Sequence, residues 1–179
     1  SCVICHTANV NNPDEFTLHI RGEKGATLIR HQGKEDWMKS KNLEVGGPMV
    51  FPCWHPSGKF IAFSTNDTQQ YFHSQAKKRI EYFDMSSDIF IYNPETHEAM
   101  VDARFATKEN LENCPVFSPD GKWLYYITAP FRNPKQHFRE SRYSLCRVGF
   151  DAKTGKLGEM VDTLISAVAL GKSITWPRP

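Results

Sequence analysis

The sequence predicts an all-β protein built from a repeated, four-stranded antiparallel unit. The first observation is an internal repeat, because residues 51–63 and 114–126 carry the same prolines, glycine and lysine, with Gly121 placed 63 positions after Gly58. The second is that short aromatic and aliphatic runs follow each copy and end at turn residues. A fixed offset with matching turn residues is typical of repeat architectures, so both observations indicate a protein of repeated β-units.

Each copy is centred on a tight turn. In the second copy the turn reads Ser118-Pro119-Asp120-Gly121. Proline pre-sets φ at the second position, aspartate tolerates the third, and glycine accepts the positive φ of the last. The apolar runs that follow are short and aromatic, which predicts strands buried on both faces rather than helices.

Two further strands are predicted after each central hairpin, on either side of a polar turn. The predicted pairs are residues 88–92 with 97–101, and residues 143–148 with 160–163. Each unit then contains four antiparallel strands, which is the composition of a propeller blade.

Over about residues 45–165 the two copies resemble the WD40-like repeat of TolB-type β-propellers. The residues that carry the resemblance are Pro52, Trp54, Pro56, Ser57, Gly58 and Lys59 in the first copy and Pro115, Phe117, Ser118, Pro119, Asp120, Gly121 and Lys122 in the second. The first copy departs from the family at Ser57, where the family prefers aspartate. The resemblance implies a bacterial, periplasmic and non-catalytic scaffold that binds a protein or a cell-envelope component.

The repeat spacing predicts a single propeller fragment over residues 1–179. Its blade-like units are expected at about residues 2–45, 46–105 and 110–165, with the start of a further blade at 170–179. Three blades cannot close a ring of four to eight. We therefore expect a partial β-propeller of about three blades, whose open edges favour self-association.

Composition restricts the classes of partner. The 179 residues include 22 basic and 20 acidic side chains, for a formal charge of +2. This balance argues against nucleic acid as a partner. No apolar run approaches the length of a membrane span. With the family resemblance, we expect a periplasmic or otherwise exported protein whose signal sequence is absent from this chain.

A separate signal stands at positions 2–6, where Cys2, Cys5 and His6 form the C-x-x-C-H motif of c-type haem attachment. Haem c carried by the native protein, with electron transfer as its function, is the alternative to the scaffold prediction; no cofactor is expected on this fragment. A Cys2–Cys5 disulfide, free thiols, or an incomplete zinc-type ligand set would also explain the motif. No metal site is predicted.

Two long insertions, residues 66–87 and 129–142, occupy equivalent connections and are therefore expected on one face of the ring. Both mix aromatic with basic residues, which are favoured interface anchors. The predicted partner-binding loop residues are Tyr71, Phe72, His73, Lys77, Lys78, Arg79, Phe131, Arg132, His137, Phe138 and Arg139. The alternative is that these aromatic side chains pack back on the blades.

Enzyme signatures are missing from the sequence, which contains neither G-x-S-x-G nor H-E-x-x-H. We therefore predict a non-catalytic protein. A third hypothesis is a propeller that supports a separate catalytic domain outside this chain, as in propeller-bearing peptidases.

Overall fold

A computed structural model describes most of the chain. The described residues are 2–10, 12–22, 25–39, 43, 45, 47–74, 80–133, 137 and 140–179, with only the backbone described at position 2. Within these residues twelve strands form three separate four-stranded antiparallel sheets, each with its strands in sequence order. The predicted all-β class and the four-stranded unit are both confirmed.

The three sheets share one layout. The first contains β1 (Cys2–Asn9), β2 (Asn12–Arg21), β3 (Ala26–His31) and β4 (Lys34–Met38). The second contains β5 (Met49–Trp54), β6 (Ile61–Phe72), β7 (Ile80–Asn93) and β8 (Glu98–Met100). The third contains β9 (Asn110–Phe117), β10 (Trp123–Pro130), β11 (Ser144–Asp151) and β12 (Lys156–Ile165). A 3-10 turn at Ala103–Phe105 leads into the third sheet, and the short helix α1 (Ala167–Leu170) follows it.

The sheets pack face to face, as blades do. β6 shows why, since its fully buried residues divide between two clusters. Ile61 and Phe63 share a cluster with residues of the first sheet, while Ala62 shares one with residues of the third. Alternation of side chains along a strand places neighbours on opposite faces, so a strand covered on both sides must be apolar throughout. The core therefore lies in two layers between adjacent sheets.

The first strands of the three sheets meet at a common axis, where β1 contacts β5 and β5 contacts β9. Each of these inner strands contains a residue with left-handed backbone: φ is 49° at Cys5, 48° at Phe51 and 50° at Cys114. The register of each inner pair shifts at the same place, which marks a β-bulge. Trp176 repeats the angle, with φ of 51°. Because this left-handed conformation recurs in every unit, it is a feature of the repeated fold. Cys5, Phe51 and Cys114 therefore occupy equivalent positions in the three sheets.

The predicted turns form as expected. Gly58 and Gly121 have φ of 73° and 71°, and the amide of Gly121 donates to the carbonyl of Ser118 at 2.9 Å. These turns also join the sheets. His55 Nδ1 accepts from the amide of Ser57, so Nε2 carries the proton and donates to the Gly121 carbonyl at 3.0 Å. His55 is therefore a structural residue that fixes the second sheet to the third.

The sequence predicted a loop over residues 66–87. The structure instead has two paired strands there. β6 and β7 continue past the sheet and pair in register from Thr68–Asp84 to Phe72–Ile80. We call this two-stranded extension, residues 66–72 and 80–87, the β-arm. Its polar composition hid the strands, because Gln, Asp and Thr do not give the hydrophobic alternation that identifies a half-buried strand.

Candidate functional site

A cavity of about 780 Å³ lies at the axis, between the inner strands. Four of the six non-glycine residues with positive φ in the described part of the chain line it, namely Cys5, Phe51, Cys114 and Trp176. We call this space the axial cavity. Its volume lies within the range of ordinary small-molecule sites. The repeat thus places four non-equivalent side chains around one space.

Aromatic rings and prolines form most of the cavity wall. The Phe51 and Trp176 rings meet edge to face, with centroids 4.9 Å apart and an interplanar angle of 89°. A proline follows three of these four left-handed residues, at positions 52, 115 and 177. Such a wall favours a flat apolar ligand, because rings and prolines present rigid surfaces that lose little conformational entropy on contact.

Few polar groups reach the axial cavity among its described residues. His6 and Arg178 line it, and Arg178 supplies a permanent positive charge. Burial raises the pKa of the Cys114 thiol to about 12, helped by the negative charge of Asp84, so this thiol stays protonated at neutral pH. The Cys53 sulfur accepts from the Phe117 amide at 3.4 Å, and burial also raises its pKa.

Two of the three residues of the haem prediction lie at this cavity. Cys5 carries a free thiol, and both Cys5 and His6 line the wall. The backbone of Cys2 pairs with Arg21 in the β1–β2 ladder, and the side chain of Cys2 lies outside the described residues. The motif therefore lies on a strand rather than a helix. Among described residues no group of three metal-ligating side chains occurs.

The β-arm carries the first set of predicted partner-binding residues. Phe72 pairs with Ile80 on one of its faces, and Tyr82 lies one pair further along the same face. Their exposed fractions are 74%, 48% and 66%. We call these three side chains the arm patch. Exposed apolar side chains grouped on one face are typical of interaction sites.

On the opposite face of the β-arm, the side chains contact one another. Tyr71 packs edge to face on Phe83, with centroids 5.2 Å apart, and its hydroxyl donates to Gln69 at 3.0 Å. His73 lies 2.7 Å from a carboxylate oxygen of Glu81. These contacts stiffen the ribbon. The predicted Lys77, Lys78 and Arg79 lie outside the described residues.

In the second insertion, residues 129–142, the one described aromatic side chain from the predicted set is partly buried rather than exposed. Phe131 is half-buried and lines a cavity of about 450 Å³ with Met85 and Leu111, between the second and third sheets. Arg132 is exposed, and His137 pairs with Glu140 at 3.0 Å. The predicted Phe138 and Arg139 are also outside the described part of the chain.

Residues of the two insertions, Met85 and Phe131, line the same cavity. Asp84 at the base of the β-arm accepts from the Tyr143 hydroxyl, just before β11, at 2.9 Å and from the side-chain amide of Asn113 in β9 at 3.0 Å. Its other oxygen accepts from Asn66 and Thr68. Sequence reasoning missed this carboxylate, because its donors come from three distant segments. We call the side of the ring that carries both insertions the insertion face.

The axial cavity extends to the central turns, away from the insertions. Pro56 and Pro119, which belong to the central turns, line it. In an antiparallel sheet the turn before β6 and the connection after β6 lie at opposite ends of that strand. The chain therefore presents two separate surfaces, the arm patch on one side and the cavity on the other.

Comparison with solved structures supports the fold. A mutant of prolyl oligopeptidase B from Galerina marginata is similar at 14% identity, over 91% of this chain and 23% of that chain, with a TM-score of 0.53. TolB from Acinetobacter baumannii is 15% identical over 92% of this chain and 43% of its own, with a TM-score of 0.33. An auxiliary nutrient binding protein from Bacteroides thetaiotaomicron is 13% identical over 90% of this chain and 41% of its own, also at 0.33.

These likenesses define a class and nothing finer. The first similarity shows the fold alone, a β-propeller arrangement of four-stranded sheets. This chain spans less than half the length of each of the three matched chains. No protein-family model matches it, and no curated protein does. No helix in the described residues is long and apolar enough to cross a membrane.

Proposed function

We propose that the chain is a non-catalytic, TolB-like propeller scaffold of the bacterial periplasm that binds a protein or envelope component through its insertion face. The observation that carries the proposal is the arm patch, Phe72, Ile80 and Tyr82. The three side chains project from a ribbon that extends beyond the sheet and stay exposed.

The low intrinsic stability of a two-stranded ribbon supports a binding role for the β-arm. A two-stranded ribbon is only marginally stable by itself in water, because one of its faces lacks apolar cover. Here the Tyr71–Phe83 contact and the Asp84 hydrogen bonds hold the ribbon in place. The rigid base keeps the arm patch presented, which lowers the entropy that a partner must overcome on binding.

Site-specific photocrosslinking in cells tests the proposal. A photoreactive amino acid at Phe72 or Tyr82 is expected to give a discrete crosslinked product in the periplasm. The matched controls are Lys59 and Lys153, which are exposed in turns on the opposite side of the ring. Equal crosslinking at all four positions, or crosslinking only at the two lysines, would contradict binding through the insertion face.

A further inference from the structure

The axial cavity has no part in binding through the arm patch. We propose that it is a binding site for a small planar aromatic carboxylate, whose rings contact Trp176 and whose carboxylate pairs with Arg178. This proposal concerns a different surface from the arm patch and does not depend on partner binding.

The cavity wall suits the rings of such a ligand. Six of its lining residues are prolines and four are phenylalanine or tryptophan. Trp176 is 59% exposed although its ring is held edge to face by Phe51, so a rigid aromatic surface still faces water. Stacking a flat ring on that surface removes apolar area from water with little loss of side-chain freedom. The volume of about 780 Å³ is in the range of small-molecule sites.

The charges of the wall favour an anion over a cation. Arg178 lines the cavity, and no aspartate or glutamate is found among the described residues that line it. Burial raises the pKa of the Cys114 thiol to about 12 and also raises that of Cys53, so neither thiol adds a negative charge at neutral pH. Asp84, whose negative charge reaches Cys114, lies outside the lining and accepts four hydrogen bonds. The attraction of the guanidinium for an anion is therefore not cancelled by a carboxylate on the wall.

Arg178 is available to a ligand. Its side chain is exposed, and it forms no ion pair within the described part of the chain. A guanidinium can hold a carboxylate through two parallel hydrogen bonds. Arg178 and Trp176 are two residues apart and line the same space, so one ligand can use both. The exposed imidazole of His6 offers a further polar contact at the wall.

Isothermal titration calorimetry of the full chain with 2-naphthoate tests the site. The matched neutral ligand is 2-naphthamide, which has the same rings and an uncharged amide in place of the carboxylate. One ligand is expected to bind per chain. The carboxylate should bind about fivefold more tightly than the amide, which is the effect of an ion pair that remains partly in water.

Two variants separate the role of the charge from that of the ring. Arg178→Ala should weaken 2-naphthoate binding about fivefold and leave 2-naphthamide unchanged. Trp176→Ala should weaken both ligands by about tenfold, because both lose the same aromatic contact. Arg132→Ala removes an exposed arginine from the insertion face and is the matched control, which should bind both ligands as wild type does.

Three results would overturn the proposal: no binding of 2-naphthoate to folded wild type, equal affinities for the carboxylate and the amide, or equal effects of Arg178→Ala and Arg132→Ala. Phe72→Ser is expected to bind 2-naphthoate with wild-type affinity while losing the crosslinked partner. Failure of the cavity proposal is therefore distinguishable from failure of the scaffold function.

Discussion

The contact between His55 and Gly121 predicts a large destabilisation by Gly121→Ala. Gly121 has φ of 71°, and a Cβ there would lie 2.7 Å from His55 Cε1 and closer still to Nε2. A left-handed alanine costs about 1–2 kcal/mol. Displacing His55 also breaks its bond to the Gly121 carbonyl and leaves a buried ring N–H unpaired, which adds about 1–3 kcal/mol. The expected loss is about 2–5 kcal/mol.

Urea unfolding followed by tryptophan fluorescence measures this loss. Gly33→Ala is the matched control, because Gly33 has φ of 73° and nothing within 4 Å of an added Cβ. It should lose only the backbone cost of about 1–2 kcal/mol. The double variant His55→Ala with Gly121→Ala should lose less than the sum of its single variants, since the clash is then absent. Equal losses in Gly121→Ala and Gly33→Ala would refute the role assigned to His55.

Two further predictions concern the boundary between the second and third sheets. Burial and the nearby Asp88 raise the pKa of Glu112 from 4.5 to about 7, so the folded chain holds a proton that the unfolded chain releases. The free energy of unfolding should therefore fall as pH rises from about 4.5 to about 7. Glu112→Gln should flatten that slope in urea titrations at several pH values, and an unchanged slope in the variant would contradict the role of Glu112. Tyr143→Phe removes the hydroxyl that donates to Asp84 and should cost about 2 kcal/mol in urea unfolding, whereas an unchanged midpoint would show that the bond is unimportant.

The sequence predicted the parts of the fold that local chemistry determines. Gly58 and Gly121 take positive φ because their turns require it, and the run from Ile61 to Phe63 is buried on both faces because it has no polar side. These features follow from turn geometry and strand alternation alone.

The sequence could not predict features that depend on several units at once. The β-arm has a polar sequence, and its strands persist because Tyr71 and Phe83 meet across them. Nothing in the sequence identified Trp176 and Arg178 as cavity residues. Their position depends on the fold, which brings Trp176 against Phe51 and Cys114 at the axis. That Cys5 and His6 both line the cavity could not be predicted either, because it depends on the bulge at Cys5.

Partner binding through the arm patch is the central claim, and the size of the native complex tests it most directly. A triple variant, Phe72→Ser with Ile80→Thr and Tyr82→Thr, changes exposed side chains and should keep the wild-type unfolding midpoint. In gently solubilised envelope extracts, size-exclusion chromatography should place wild type in a larger complex and the variant at a smaller size. Identical elution of the two proteins, with the variant folded, would contradict the account.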